Sequence, residues 1–258
     1  MDPSLSVLAL LGVAALAAGF VDAVVGGGGL IQLPALLIGL PYASPVQILA
    51  TNKVGSICGT SVSSATYYRR IRPDPRVFLP MMVLAFAGSF VGALAASHIS
   101  RDAFEPIVLV ALVVVGAYVL LKPDLGRATA LRYAGHRHLA TAMGLGLVIG
   151  FYDGALGPGT GSFFVFTLVG LLGYDFLEAS AKARLANWAT NLGALVLFVP
   201  QGHVLWVTGL VLGGCNLVGS YVGARTAVAR GSRFVRLFFI LVVSAFIVKI
   251  GGDVVGVW

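Results

Sequence analysis

Asp22 and Asp153, Lys53 and Arg184, and Asn52, Asn187 and Asn191 stand within apolar stretches of this 258-residue chain. Asp22 and Asp153 are 131 positions apart, and so are Lys53 and Arg184. An ionised side chain inside a membrane span costs about 2.5–3.5 kcal/mol on insertion scales, so it is usually there for a function. Asp22 and Asp153 close apolar runs. Each either caps a helix end or glycine break by accepting backbone N–H bonds, or carries a proton or gates access. Asn52, Ser56 and Ser63, with Gly59 and Thr60 between them, follow one helical face, and Lys53 lies beside Asn52. Arg184, Asn187 and Asn191 repeat that logic at i, i+3 and i+7. Cations near a membrane surface can snorkel out or pair with a headgroup. The alternative is convergence on a bound anion, with arginine offering a two-pronged fork and lysine a point charge. The paired asparagines favour the anion, because membrane amides with nothing to bind are costly.

Glycine clusters stand beside both aspartates: Gly26, Gly27, Gly28 and Gly29, then Gly157, Gly159 and Gly161 within Gly-Pro-Gly-Thr-Gly. They permit unusual φ values and bare the backbone N–H groups. A helix starting at each break would point partial positive charge inward. Two such starts meeting at a pseudo-twofold would cradle an anion; the plainer reading is that the glycines only let helices pack. The expected substrate-binding set is therefore these seven glycines with Asn52, Lys53, Arg184, Asn187 and Asn191, and Asp22 and Asp153 are the coupling or gating pair.

The elements that must position them are duplicated. With a shift of 131 residues and no gap, Gly19-Phe20-Val21-Asp22 falls on Gly150-Phe151-Tyr152-Asp153. Gly88-Ser89-Phe90-Val91-Gly92-Ala93 falls on Gly219-Ser220-Tyr221-Val222-Gly223-Ala224. The small residues at four-spacing in the latter pair read as helix packing. A duplicated apolar chain is the pattern of secondary transporters, whose site lies between repeats. The chain is 58% hydrophobic and 10% charged, against about 25% charged in soluble domains, so lipid is its natural solvent.

Apolar runs fall at 4–25, 29–40, 46–67, 77–96, 104–121, 139–156, 162–173, 179–199, 204–224 and 234–250. The second and seventh are too short to cross and follow the glycine clusters, so they read as half-helices or bent segments. Arginine-rich loops at 69–76, 122–138 and 225–236 share one side only if each half makes five crossings, which inverts the repeats. The expected fold is an all-α polytopic membrane protein of two inverted repeats of about five elements, 1–121 and 139–258. A basic cytoplasmic linker, 122–138, joins them, and both termini lie outside.

The charge of +7 sits in loops flanking apolar runs. That pattern reads as topology, and it lacks the basic face with interleaved aromatics of a nucleic-acid binder. No metal spacing, Walker motif or GxSxG is present. Ser162 and His203 have no evident partner, so an enzyme is not expected, nor is a cofactor. Cys58 and Cys215 are not repeat equivalents and read as free membrane thiols. His136 and His138, in the basic linker, read as solvated; His98 and His203 lie near loops. The expected partners are a small anion and the lipid bilayer, and a homo-oligomer is left open.

The combination GFVDAVVGGGGLIQLPAL, ATNKVGSICG, GFYDGALGPGTGSFF and AKARLANWATNLGAL resembles the sulfite exporter TauE/SafE family, also called the 4-toluene sulfonate uptake permease family. The likeness covers essentially the whole chain and is nearest to bacterial inner-membrane members. It implies secondary transport of sulfur-containing anions such as sulfite, sulfoacetate or other sulfonates. The family's Asp–glycine motif falls on Asp22 and Gly26 to Gly29, and its Asn–Lys motif on Asn52 and Lys53. The second-half motif falls on Asp153, Gly157, Gly159, Gly161, Asn187 and Asn191. At the position often held by lysine this chain has Arg184, which keeps the charge and changes the geometry offered to an anion.

Overall fold

A computed structural model describes residues 3–96 and 128–255. The expected element at 104–121, His98 and linker residues 122–127 lie outside the described residues. Within them the chain is helical, with no strand. Helix α1, Leu5–Val25, starts on the Ser4 side chain and ends at Gly26, whose φ of +91° only glycine adopts readily. Helix α2, Gly29–Gly39, has 11 residues and an internal Pro34. At about 1.5 Å per residue it spans roughly half a bilayer core. Helix α3, Pro45–Ile71, opens with a reciprocal Ser44–Gln47 capping box and a first-turn proline. Helix α4, Pro75–Ala95, is capped by Asp74.

The second half repeats this plan. It comprises α5 (Gly135–Ala155), α6 (Thr160–Thr167) running into a π-helical turn at Leu168–Leu172, α7 (Phe176–Phe198) and α8 (Trp206–Val255). The starts of α2, α3 and α4 fall on those of α6, α7 and α8 under the 131-residue shift. The π turn leaves Gly173 at φ +85° to turn the chain into α7. Three helices among the described residues are long and apolar enough to cross a membrane: Leu5–Val25, Pro75–Ala95 and Trp206–Val242. The arginine-rich stretch 225–236 is not the loop the sequence suggests. It is helical on both sides of Gly231, where φ 74° and ψ −173° divide α8 into 206–230 and 232–255. Long arginine side chains can leave a helix end for water without ending the helix.

Packing is exchanged between the halves. α1 lies on α8, and its repeat equivalent α5 lies on α4. A Cβ on Gly88 would meet the Leu147 carbonyl, and one on Gly219 would meet that of Leu16. Gly92 and Gly223 stand in the same way against the carbonyls of Phe151 and Phe20. Each contact is the other moved by 131 residues, so the two Gly-Ser-aromatic-Val-Gly-Ala segments are packing seams. Between the seams, α3 and α7 touch each other and carry most of the buried polar side chains. Cys58 and Cys215 are free thiols.

Candidate functional site

The four charged residues meet as two ion pairs that cross between the halves. Lys53 Nζ on α3 donates to Asp153 Oδ2 on α5 at 2.5 Å, with the side chains 1% and 2% exposed. Arg184 Nη1 on α7 donates to the carbonyl oxygen of Asp22, at the end of α1, and to its Oδ2 at 3.2 Å. Lys53 is the repeat equivalent of Arg184, and Asp22 of Asp153. One interaction is therefore made twice: the cation of each half holds the carboxylate of the other. Neither cation snorkels. Replacing such a pair by apolar groups is often harmless, whereas losing one partner strands a buried charge at about 3–5 kcal/mol.

The carboxylates also serve the helix breaks. Asp22 Oδ1 accepts from the Gly28 N–H at 3.3 Å, as a cap would. Asp153 Oδ1 instead accepts from the Thr160 hydroxyl at 2.7 Å, a group that also reaches the Gly157 carbonyl at 2.8 Å. The breaks themselves meet. Ser162 N–H donates to the Gly26 carbonyl at 3.1 Å, and its hydroxyl to that of Val25 at 3.0 Å. A Cβ on Gly161 would lie 2.6 Å from Gly26 Cα and 3.0 Å from Arg184 Nη2. Glycine is required there because two backbones and a guanidinium share the space.

A cavity of about 10 Å³ lies where the breaks meet, room for a single water molecule. Among the predicted residues, Asp22, Gly26, Gly29, Asn52, Lys53, Asp153, Gly157, Gly159, Gly161, Asn187 and Asn191 line it. Arg184 does not; it stands behind Gly161, fully buried, with Nε and Nη2 lacking a hydrogen-bond partner among the described residues. Gly27 and Gly28 are also off the wall. A Cβ on Gly28 would lie 2.6 Å from Asp22 Cβ, so this glycine serves the cap. Asn52 Oδ1 is buried and unpartnered among the described residues. Asn191 Nδ2 is turned back on the Asn187 carbonyl at 2.8 Å. Such a site offers one countered cation, Lys53, with Arg184 behind its wall, and amides and bared backbone groups at the junction of the halves, in too small a space for an oxyanion unless the halves move.

Ser56 and Thr160 also line the cavity. Ser56 shared a helical face with Asn52 in the sequence; Thr160 was visible only as part of the second glycine cluster. Two further polar groups were missed. Gln32 accepts from Asn216 at 2.7 Å in the interior. At the start of α7, the buried Lys182 donates to Glu178 at 2.5 Å and stands 3.9 Å over the Tyr174 ring. The i, i+4 spacing of Glu178 and Lys182 was the available signal. His138, read as solvated, is buried in the first turn of α5 with Nε2 2.6 Å from the Tyr174 hydroxyl. The helix starts at Gly135 and turns this side of the basic segment inward.

Asp175, at the connection preceding α7, is tuned by its neighbours. Burial pushes its carboxyl up, but the Ser232 hydroxyl, the Glu178 and Leu177 N–H groups and the Thr129 hydroxyl outweigh that and hold it below its ordinary value of 3.8. Among the described residues no group of three metal-ligating side chains occurs.

The profile of the sulfite exporter TauE/SafE family matches residues 11–250. The chain belongs to the sulfite exporter TauE/SafE family. It is a membrane transporter of that family, and its relatives carry matching names. A "probable membrane transporter protein ORF9" of Sinorhizobium sp is 36% identical over 253 residues, covering 98% of this chain and 95% of the relative. The "probable membrane transporter protein YfcA" of Escherichia coli K12 is 36% identical over 240 residues, or 90% and 86% of the two chains. A "probable membrane transporter protein" of Haemophilus influenzae is 33% identical, covering 92% and 91%. No solved structure matches the chain. The TauE/SafE match takes in both helix breaks and both ion pairs.

Proposed function

We propose that this transporter is a secondary carrier that exports small sulfur-containing anions, such as sulfite, sulfoacetate or other sulfonates, across the bacterial inner membrane, without enzymatic chemistry. The observation that carries the reading is the reciprocal pairing of Lys53 with Asp153 and of Arg184 with Asp22 around a polar cavity at the junction of the repeats. In this reading 1–121 and 139–258 are inverted repeats, the 122–138 linker is cytoplasmic and both termini are outside.

Each aspartate is a resident anion on its cation. Protonating Asp153 removes the charge that satisfies Lys53, and an anionic substrate then restores neutrality; Asp22, paired to Arg184, is the gating residue of the other half. Proton and anion thus move together as a neutral set, outward where the anion gradient exceeds the opposing proton gradient, which avoids moving net charge through a low-dielectric interior. The amides of Asn52, Asn187 and Asn191 and the bared backbone at the breaks hold the substrate oxygens. Rocking one half against the other widens the cavity toward alternate sides. A water-sized cavity supports a carrier with a closed intermediate over a channel.

The test is counterflow in proteoliposomes loaded with sulfite or sulfoacetate under an imposed pH gradient. Wild type should show saturable, gradient-driven flux, and Lys53→Ala and Arg184→Ala should abolish it. Flux that persists unchanged in both variants contradicts the site. Saturable flux of another oxyanion, with none for any sulfur anion, reassigns the substrate.

A further inference from the structure

A second cavity, of about 450 Å³, opens between the last turns of α3 and the 206–230 segment of α8. It is far larger than the central one and differs in chemistry. Thr66, Arg69, Arg70, Tyr221 and Arg225 line it. Arg225 Nη1 donates to the Tyr221 hydroxyl at 2.8 Å, and its guanidinium lies 5.4 Å from that ring. No carboxylate among the described residues pairs with any of the three arginines. Asp74, the nearest acid along the chain from Arg69 and Arg70, is engaged in capping α4, where it accepts from the Arg76 N–H at 3.0 Å. Three like charges around one cleft repel, and an anion placed among them relieves this while accepting forked hydrogen bonds.

The surroundings set the depth of that anion. Tyr221, 45% exposed, lines the cleft together with Val228 and Ala229. Tyrosines with an apolar body and a polar tip mark the membrane–water interface. A soluble anion would use the arginines and leave this apolar flank unused; a headgroup with acyl chains uses both. The repeat does not duplicate the cleft. The equivalents of Arg69, Arg70 and Arg225 are Pro200, Gln201 and Leu94. One face of the protein therefore carries it, the arginine-rich face that the positive-inside rule makes cytoplasmic.

We propose that this cleft binds the phosphate of an anionic phospholipid, with phosphatidylglycerol as the simplest ligand, and that Arg69, Arg70 and Arg225 hold it. The site is separate from the central ion pairs. The test uses the full chain purified in mild detergent, with bound lipid read by native mass spectrometry and unfolding temperature by heating. Wild type should retain phosphatidylglycerol, and added phosphatidylglycerol should raise its unfolding temperature where phosphatidylcholine does not. Arg69→Gln with Arg225→Gln should weaken this binding at least tenfold, and Arg69→Lys with Arg225→Lys should keep most of it. Arg137→Gln, which removes an exposed charge at the start of α5, should bind as wild type does. Equal lipid retention by the glutamine double variant overturns the proposal. So does equal binding of phosphatidylcholine, or a thermal shift given by inorganic phosphate and not by the lipid, which would make the cleft a soluble-anion site.

Discussion

Removing Asp153 alone should harm the protein more than removing Asp153 and Lys53 together. The pair is 2.5 Å apart with both side chains almost wholly buried. Asp153→Leu strands the Lys53 ammonium, and Lys53→Met strands the Asp153 carboxylate, each at about 3–5 kcal/mol. For a chain of this size 1 kcal/mol corresponds to roughly 2–4 °C, so each single variant should unfold about 6–20 °C below wild type. The double variant has neither stranded charge and fills the space with apolar atoms, which is often neutral or stabilising by about 1–4 kcal/mol. It should unfold within a few degrees of wild type. The assay is thermal unfolding of the four proteins in one detergent, read as a double-mutant cycle. The double variant should also have lost transport, which separates stability from function. Single variants as stable as wild type would mean that the pair is open to water. A double variant whose loss equals the sum of the singles would mean that the two residues do not interact.

The reciprocal seams predict matched effects: Gly88→Ala and Gly219→Ala should each cost about 1–3 kcal/mol by overpacking. Gly144→Ala and Gly214→Ala, which face open space, should be neutral or gain up to about 1 kcal/mol of helix propensity, all read by thermal unfolding. Because the Asp175 carboxyl is held below 3.8 in the fold, its ionised form adds stability that is present above that value and lost as pH falls through the lowered one. Asp175→Asn should therefore unfold earlier than wild type at pH 6, and the gap should narrow as the pH of the unfolding series falls below 3.8. Arg184→Lys should retain part of the sulfite flux, because it can still pair with Asp22, whereas Arg184→Met should retain none; initial rates in proteoliposomes decide this.

The repeat register was legible in the sequence because its marks are glycines at places where no other residue fits. Gly26 turns the chain at positive φ, and Gly88 and Gly219 let backbones touch. The short second and seventh elements were legible for the same reason. The pairing was not. Lys53 and Asp153 are 100 residues apart and Arg184 and Asp22 are 162 apart. Periodicity fixes the face of a helix, but it does not say which neighbour that face meets. Read singly, the cations appeared to await an anion; in the fold each already has one from the other half. His138 was misread because the basic residues around it suggested a loop, and the break at Gly231 was misread as a whole loop for the same reason.

The measurement closest to the central claim is sulfite movement by wild type and Asp153→Asn in proteoliposomes, scored in two ways. Wild type should accumulate sulfite against its gradient when a pH gradient is imposed, and should also exchange sulfite for sulfite without one. Asp153→Asn has no carboxylate to take the proton and leaves Lys53 free for the anion. It should keep the exchange and lose the accumulation. Accumulation driven equally well by the pH gradient in Asp153→Asn would contradict the account.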